Sequence, residues 1–172
     1  MKFKFDLNCF SLKRSLYSGQ CFRFKEVEKN CFLVFSKGYS AYIKQIGNIL
    51  HFYDSTVELT YWKKYFNYYV NYEEIIKRFE GDLILEKLTK LCKGIRILKQ
   101  DPFECLVSFI FSINNNIKRI QTIVEVLCEN FGKKTKNGYS FPTAESLKGY
   151  TENRRLYIYV HPKMIPGTEV DH

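Results

Sequence analysis

The sequence predicts an α+β fold in which strands come first and helices follow, and three observations carry that prediction. Apolar residues alternate with a period of two over residues 3–53. From residue 59 onward the apolar spacing changes to one near 3.6. At Asp101-Pro102 a strongly marked helix start opens a second, more apolar helical stretch. Strands grouped before helices, rather than interleaved with them, indicate an antiparallel sheet with helices set to one side.

Each element has its own signal. Phe3, Phe5 and Leu7 alternate as one face of a strand, and Arg23 alternates with Phe22 and Phe24, which makes it a candidate for the solvated face of another. Segments 31–36, 39–45 and 48–53 are strand-like and are joined by turns at Lys37-Gly38 and Ile46-Gly47, so an antiparallel meander is expected. Ser55 and Glu58 have capping-box spacing ahead of a helix carrying Leu59, Trp62, Phe66 and Tyr69. Asn71 and Glu74 repeat that spacing ahead of Ile75, Ile76 and Phe79. A third helix uses Ile84, Leu85, Leu88 and Leu91, and Gly94 ends it.

The next helix is the best marked of all. Asp101 suits the N-cap, Pro102 the first helical position, where no N–H is needed, and Glu104 the third position of a capping box. From Cys105 to Phe111 only Ser108 is polar, so this helix has almost no wet face and is expected inside a helical layer. Asn114, Asn115 and Asn116 stop it. A following helix places Ile117, Ile120, Ile123, Val124, Leu127 and Phe131 on one side, with Gly132 as its C′ residue. The expected organisation is a sheet domain with linking helices over 1–93, the first part of a helical domain over 94–150, and a tail over 151–172 in which Arg154 to Val160 has strand character.

With 172 residues the chain can bury one good core or two small ones. A net charge of +9, spread over 27 Lys and Arg rather than packed into a tail, favours an anionic partner. No apolar run approaches the length of a membrane span, and Met1-Lys-Phe-Lys-Phe-Asp6 lacks a signal-peptide core. A cytoplasmic location is therefore expected, at the nucleoid in a prokaryote. The six cysteines form no Cys-x-x-Cys pair, and His51, His161 and His172 complete no ligand spacing, so no metal and no cofactor is expected and the thiols are read as reduced and mostly core.

One placement calls for a ligand. Lys118 and Arg119 fall in the first turn of a helix, where the macrodipole disfavours positive charge by about 0.3–1 kcal/mol per residue. An anion at that terminus removes the conflict, and three amide side chains beside it suit a nucleic-acid backbone or base edge. The alternative is that the asparagines only cap helices and the cations are solvated.

Two stretches resemble a known family. Ile95-Arg-Ile-Leu-Lys-Gln-Asp-Pro-Phe-Glu-Cys-Leu106, with Ser108-Phe-Ile110 and Asn114-Asn-Asn-Ile-Lys-Arg-Ile120, resembles the opening of the helical domain of the 8-oxoguanine DNA glycosylases. Ser18-Gly-Gln-Cys-Phe-Arg-Phe24 is similar to the Ser-Gly-Gln-x-Phe-Arg-Trp segment of the same family. Weaker likenesses, Tyr65-Phe66 with Tyr72-Glu-Glu-Ile75 and Phe141-Pro142 with Glu145-Ser-Leu147, keep the family order from about residue 5 to residue 150. The architecture is shared with 3-methyladenine glycosylases, but the triple asparagine and the Ser-Gly-Gln segment favour the oxidised-guanine branch.

The resemblance implies a sheet domain like that of TATA-binding protein followed by a helix-hairpin-helix domain, DNA glycosylase and abasic-site lyase activity, and damaged double-stranded DNA as the partner. N7 accepts in guanine but carries a proton in 8-oxoguanine, so one carbonyl separates them. In the family a glycine supplies that carbonyl, and Gly19 matches it; the missing Cβ lets the backbone approach a flipped base. Asn114 matches the asparagine that fills the vacated space and pairs with the orphaned cytosine, and Arg119 an arginine that reads the same cytosine. Gln20, Asn115, Asn116 and Lys118 are expected as supporting DNA contacts.

The family attacks the sugar with a lysine amine and steadies developing charge with an aspartate. No segment of this sequence matches either. Ile165-Pro166-Gly167 has a passing likeness to the hairpin but lacks its second glycine and following lysine, so Lys163 and Asp171 receive no role and no catalytic residue is assigned. The loss of resemblance after about residue 150 is what a frameshift or premature stop would produce. The expectation is a chain that recognises oxidised guanine but is inactive alone. The alternatives are a noncatalytic damaged-DNA-binding module, working with a separately encoded catalytic half, and a nonfunctional remnant. Without downstream helices, the apolar helix from Pro102 to Ser112 is expected to expose a hydrophobic patch and promote self-association.

Overall fold

The structure is a computed structural model and describes residues 1–148. Five strands, β1 (Phe3–Asp6), β2 (Phe24–Glu28), β3 (Cys31–Ser36), β4 (Tyr39–Ile46) and β5 (Ile49–Tyr53), form one antiparallel sheet in the order β1-β5-β4-β3-β2. The expected meander is its centre. Phe32 pairs with Ile43, Ile43 with Phe52 and Phe52 with Phe3, so one apolar row crosses four strands. That row packs on α1 (Leu12–Leu16) and α2 (Leu59–Tyr65), where Leu12, Leu16, Trp62 and the adjoining Phe66 are buried. Leu98 joins this first core.

The Ser55–Glu58 capping box does not form. Glu58 precedes α2 without a side-chain cap bond, while the Ser55 hydroxyl accepts from Trp62 Nε1 at 2.9 Å and donates to the Val57 carbonyl at 2.6 Å. A fully buried indole N–H must find an acceptor, and this demand outweighs a cap at the surface. Tyr69 lies beyond the end of α2. At α3 (Tyr72–Lys77) the expected cap holds: Asn71 Oδ1 accepts from the N–H groups of Glu73 and Glu74. α4 (Leu83–Leu91) is capped by Asp82, and its apolar side chains face outward, Leu83 being 84% exposed. Gly94 ends this segment at φ +85°, with a would-be Cβ only 3.0 Å from Ser11 Cβ, so both conformation and space select glycine.

A second core gathers α5 (Pro102–Ser112), α6 (Ile117–Phe131) and the segment beyond. Phe111 packs with Ile120, Ile123, Val124, Leu127 and Phe141. A short hairpin, β6 (Lys134–Thr135) and β7 (Gly138–Tyr139), precedes α7 (Ala144–Lys148). α5 is not enclosed as its composition suggests. Only Glu104, Ser108 and Phe111 are buried, while Leu106, Ile110 and the 69% exposed Phe109 face out, because no described element covers that side. Gly132 also departs from expectation. Its backbone is extended at φ −83°, ψ 161°, and the glycine is needed for space: a Cβ would lie 2.0 Å from the Ser140 carbonyl oxygen.

All six thiols are free. Cys21, Cys31 and Cys128 are buried, Cys9 is half-buried, and Cys92 and Cys105 are exposed, so the core accounts for fewer than expected. No described helix is long and apolar enough to cross a membrane. The strand expected from Arg154 to Val160 and the rest of the tail lie outside the described residues.

Candidate nucleic-acid interface

The loop after α1 presents Gly19 at φ +84°, with nothing within 4 Å of a would-be Cβ. Its position is fixed by the next residue. Gln20 Nε2 donates to Ser18 Oγ at 2.9 Å and to the Arg96 carbonyl at 2.8 Å, while its Oε1 accepts from Leu98 N–H at 2.8 Å. The side-chain amide of Gln100 bonds the Gln20 carbonyl. The Gln20 amide, expected at DNA, is thus engaged inside the protein and ties the glycine loop to residues 96–100.

Arg96, which lies in the resembling stretch but is given no role of its own there, secures the same region. It is buried, donates through Nη1 to the carbonyls of Asn67 and Val70 and through Nη2 to that of Asn8, and its guanidinium lies 4.4 Å from the Tyr72 ring centre. Burial lowers its pKa. Carbonyl dipoles and a ring face stand in for a carboxylate partner.

The three asparagines divide their work. Asn115 Nδ2 donates to the Phe111 and Ile113 carbonyls at 2.9 and 3.1 Å, closing the C-terminus of α5. Asn116 caps α6, its Oδ1 accepting from Arg119 N–H at 3.0 Å. Asn114, which precedes both, has φ +57° and is exposed, with no described residue bonding its amide. Two of the three therefore cap helices, and the third is held out in a conformation that asparagine tolerates better than most residues. Arg119, in the first turn of α6, is half-buried, and its Nε is buried without a hydrogen-bond partner among the described residues. Asn116, Lys118 and Arg119 line one hollow with Thr122 and Ile123. Lys118 also lines a larger groove of about 470 Å³ between α6, β2 and the β6–β7 hairpin.

Arg23 is not on a solvated strand face. Its side chain is buried 3.6 Å from Glu104, donates through Nη1 to the Lys37 carbonyl at 3.1 Å and through Nη2 to that of Tyr139, and lies between the rings of Phe35 and Phe141. Glu104 does not reach back to cap α5; it accepts from Lys37 N–H at 3.2 Å instead. Lys37 in turn pairs with Asp101 at 3.1 Å. The β3–β4 turn is thereby clamped to the start of the helix that leads to Asn114.

Asp101 provides a test of that clamp. Burial pushes its carboxyl up, but the Glu104 and Phe103 N–H groups and the Lys37 ammonium outweigh this and hold it below the ordinary 3.8. A lowered folded-state pKa means the stabilisation is present above that ordinary value and is lost as pH falls through the lowered one. Asp101→Ala should cost about 1–2 kcal/mol at neutral pH. Asp101→Asn, which keeps the cap but not the charge, should lose less and show a flatter acid limb in urea unfolding followed across pH.

The family is now fixed by comparison. The model of the 8-oxoguanine DNA glycosylase N-terminal domain matches residues 2–106, and the chain belongs to that family. An N-glycosylase/DNA lyase of Saccharomyces cerevisiae is 39% identical over 104 residues, covering 56% of this chain and 27% of its own length. N-glycosylase/DNA lyase OGG1 of Arabidopsis thaliana is 49% identical over 39 residues, 23% of this chain and 11% of the relative. Among solved structures, the 8-oxoguanine glycosylase/lyase of Clostridium acetobutylicum in complex with double-stranded DNA containing cytosine opposite 8-oxoguanine superposes with a TM-score of 0.77 at 31% identity, covering 93% of this chain and 62% of that one. The chain thus spans about a quarter of the yeast relative and under two thirds of the bacterial one.

Proposed function

We propose that this chain recognises 8-oxoguanine opposite cytosine in duplex DNA, with the lesion flipped toward Gly19 and the vacated space filled from the Asn114–Arg119 corner. The observation that carries this reading is the division of labour among the asparagines: two cap helices, while Asn114 stands exposed without a protein partner. In this reading Gln20, Asn115 and Asn116 position their neighbours, and Lys118 meets a phosphate. Flipping costs a few kcal/mol, which groups holding the orphaned cytosine offset. The Clostridium relative in complex with such a duplex supports the substrate class.

The proposal concerns recognition, and no residue of this sequence is assigned the cutting step. Competition binding at fixed salt should show preference for a duplex with 8-oxoguanine opposite cytosine over its guanine counterpart; equal affinity would overturn it. Borohydride trapping reads the chemistry separately, and the chain alone should leave no covalent adduct. We also propose self-association through the outward face of α5, where Leu106, Phe109 and Ile110 are exposed. Sedimentation should show concentration-dependent mass, reduced in Phe109→Glu.

A further inference from the structure

The face of the sheet turned away from α1 and α2 has a regular chemistry. In one row Lys4 pairs with His51 and His51 with Lys44; in the next Tyr53 pairs with Tyr42, Tyr42 with Leu33 and Leu33 with Lys25. Side chains in such rows share a face, opposite the apolar row of Phe32, Ile43 and Phe52. The rings are accessible: Tyr53 is exposed, Tyr42 and His51 are half-buried, and His51 and Tyr53 stand nearly parallel with centres 6.4 Å apart. Ion pairs among the described residues leave Lys4 and Lys44 without a carboxylate partner, while Lys25 is paired with Glu125. Asp6 and Glu28 fall at the ends of the strands.

We infer that this face is a second binding surface, taking single-stranded DNA by stacking bases on Tyr42, Tyr53 and His51 and pairing phosphates with Lys4 and Lys44. Aromatic rings flanked by unpaired cations on the exposed β1-β5-β4 part of the sheet match the two features of a single strand that its duplex form hides or shares: exposed base faces and a flexible anionic backbone. A duplex keeps its bases stacked on one another and offers the rings nothing to cover. The surface adjoins the groove beside α6, which Lys25 and Phe35 line together with Lys118. The inference goes beyond the proposed lesion recognition and stands independently of it.

Fluorescence anisotropy of the full chain with a short labelled oligothymidylate tests it. Binding should weaken with salt at a log–log slope of roughly −1.4, for two phosphates neutralised. Tyr42→Leu and Tyr53→Leu should each weaken binding roughly tenfold or more, while Tyr42→Phe, which keeps the ring, should bind as the parent does. Lys44→Glu should weaken binding and flatten its dependence on salt, because one fewer phosphate is neutralised. Circular dichroism would confirm that these variants fold, and Asn114→Ala with Arg119→Ala should leave oligothymidylate binding intact. Failure of the parent chain to bind would overturn the inference. So would binding that survives the sheet-face changes but is lost with Asn114 and Arg119, or tighter binding of oligouridylate.

Discussion

Glu104→Ala should destabilise the protein by about 3–5 kcal/mol, the usual cost of leaving a buried charge without its partner. The Arg23 side chain it abandons is largely buried among the Lys37 and Tyr139 carbonyls and the rings of Phe35 and Phe141. Burial pushes the Glu104 carboxyl above its ordinary 4.5 although the Arg23 guanidinium pulls the other way, so desolvation outweighs the ion pair. A raised folded-state pKa means that this group favours folding most below the ordinary value, and that its contribution declines as pH rises through the raised one. At neutral pH the pair therefore contributes alignment of β3–β4 with α5 more than net stability. Arg23→Met with Glu104→Leu should recover most of the loss. Urea unfolding of the two variants beside the parent chain checks the claim, and a cost of Glu104→Ala below about 1 kcal/mol would sink it.

The second large effect concerns binding. Removal of either Asn114 or Arg119 by alanine should reduce affinity for 8-oxoguanine opposite cytosine by roughly 5- to 150-fold, the range for losing 1–3 kcal/mol of base contact. Asn114 is exposed with an unengaged amide, so Asn114→Ala breaks no bond within the protein and costs only the strain of alanine at φ +57°, about 1 kcal/mol, which Asn114→Gly avoids. Asn116→Ala is the control: it removes the cap of α6, so it should lower stability by about 1 kcal/mol and affect binding mainly through that helix. Direct binding of these variants to the lesion duplex, beside their melting curves, separates reading from capping.

Sequence alone placed the strands between Cys31 and Tyr53 closely, because period-two alternation and two tight glycine turns are local signals. The start of α5 was equally legible from Asp101-Pro102. Distant partners were not. Arg23 alternates with aromatics as a surface residue would, and its burial depends on Glu104, Lys37 and Tyr139, which are far along the chain. Ser55 looked like a cap because the need of Trp62 Nε1 for an acceptor exists only once the indole is buried. Gly132 looked like a left-handed terminator, whereas the constraint is the approach of Ser140. At the candidate site the residue types were visible, but the triplet of asparagines gave no means of telling the two that cap from the one that does not.

Recognition at Gly19 requires that the lesion leave the helix when this chain binds. A 2-aminopurine placed beside 8-oxoguanine in the duplex reports unstacking directly. Fluorescence should rise when the chain binds the lesion duplex, stay flat with the guanine duplex, and rise far less with Asn114→Ala plus Arg119→Ala at saturating protein. Saturable binding to the lesion duplex with no change in fluorescence would contradict it.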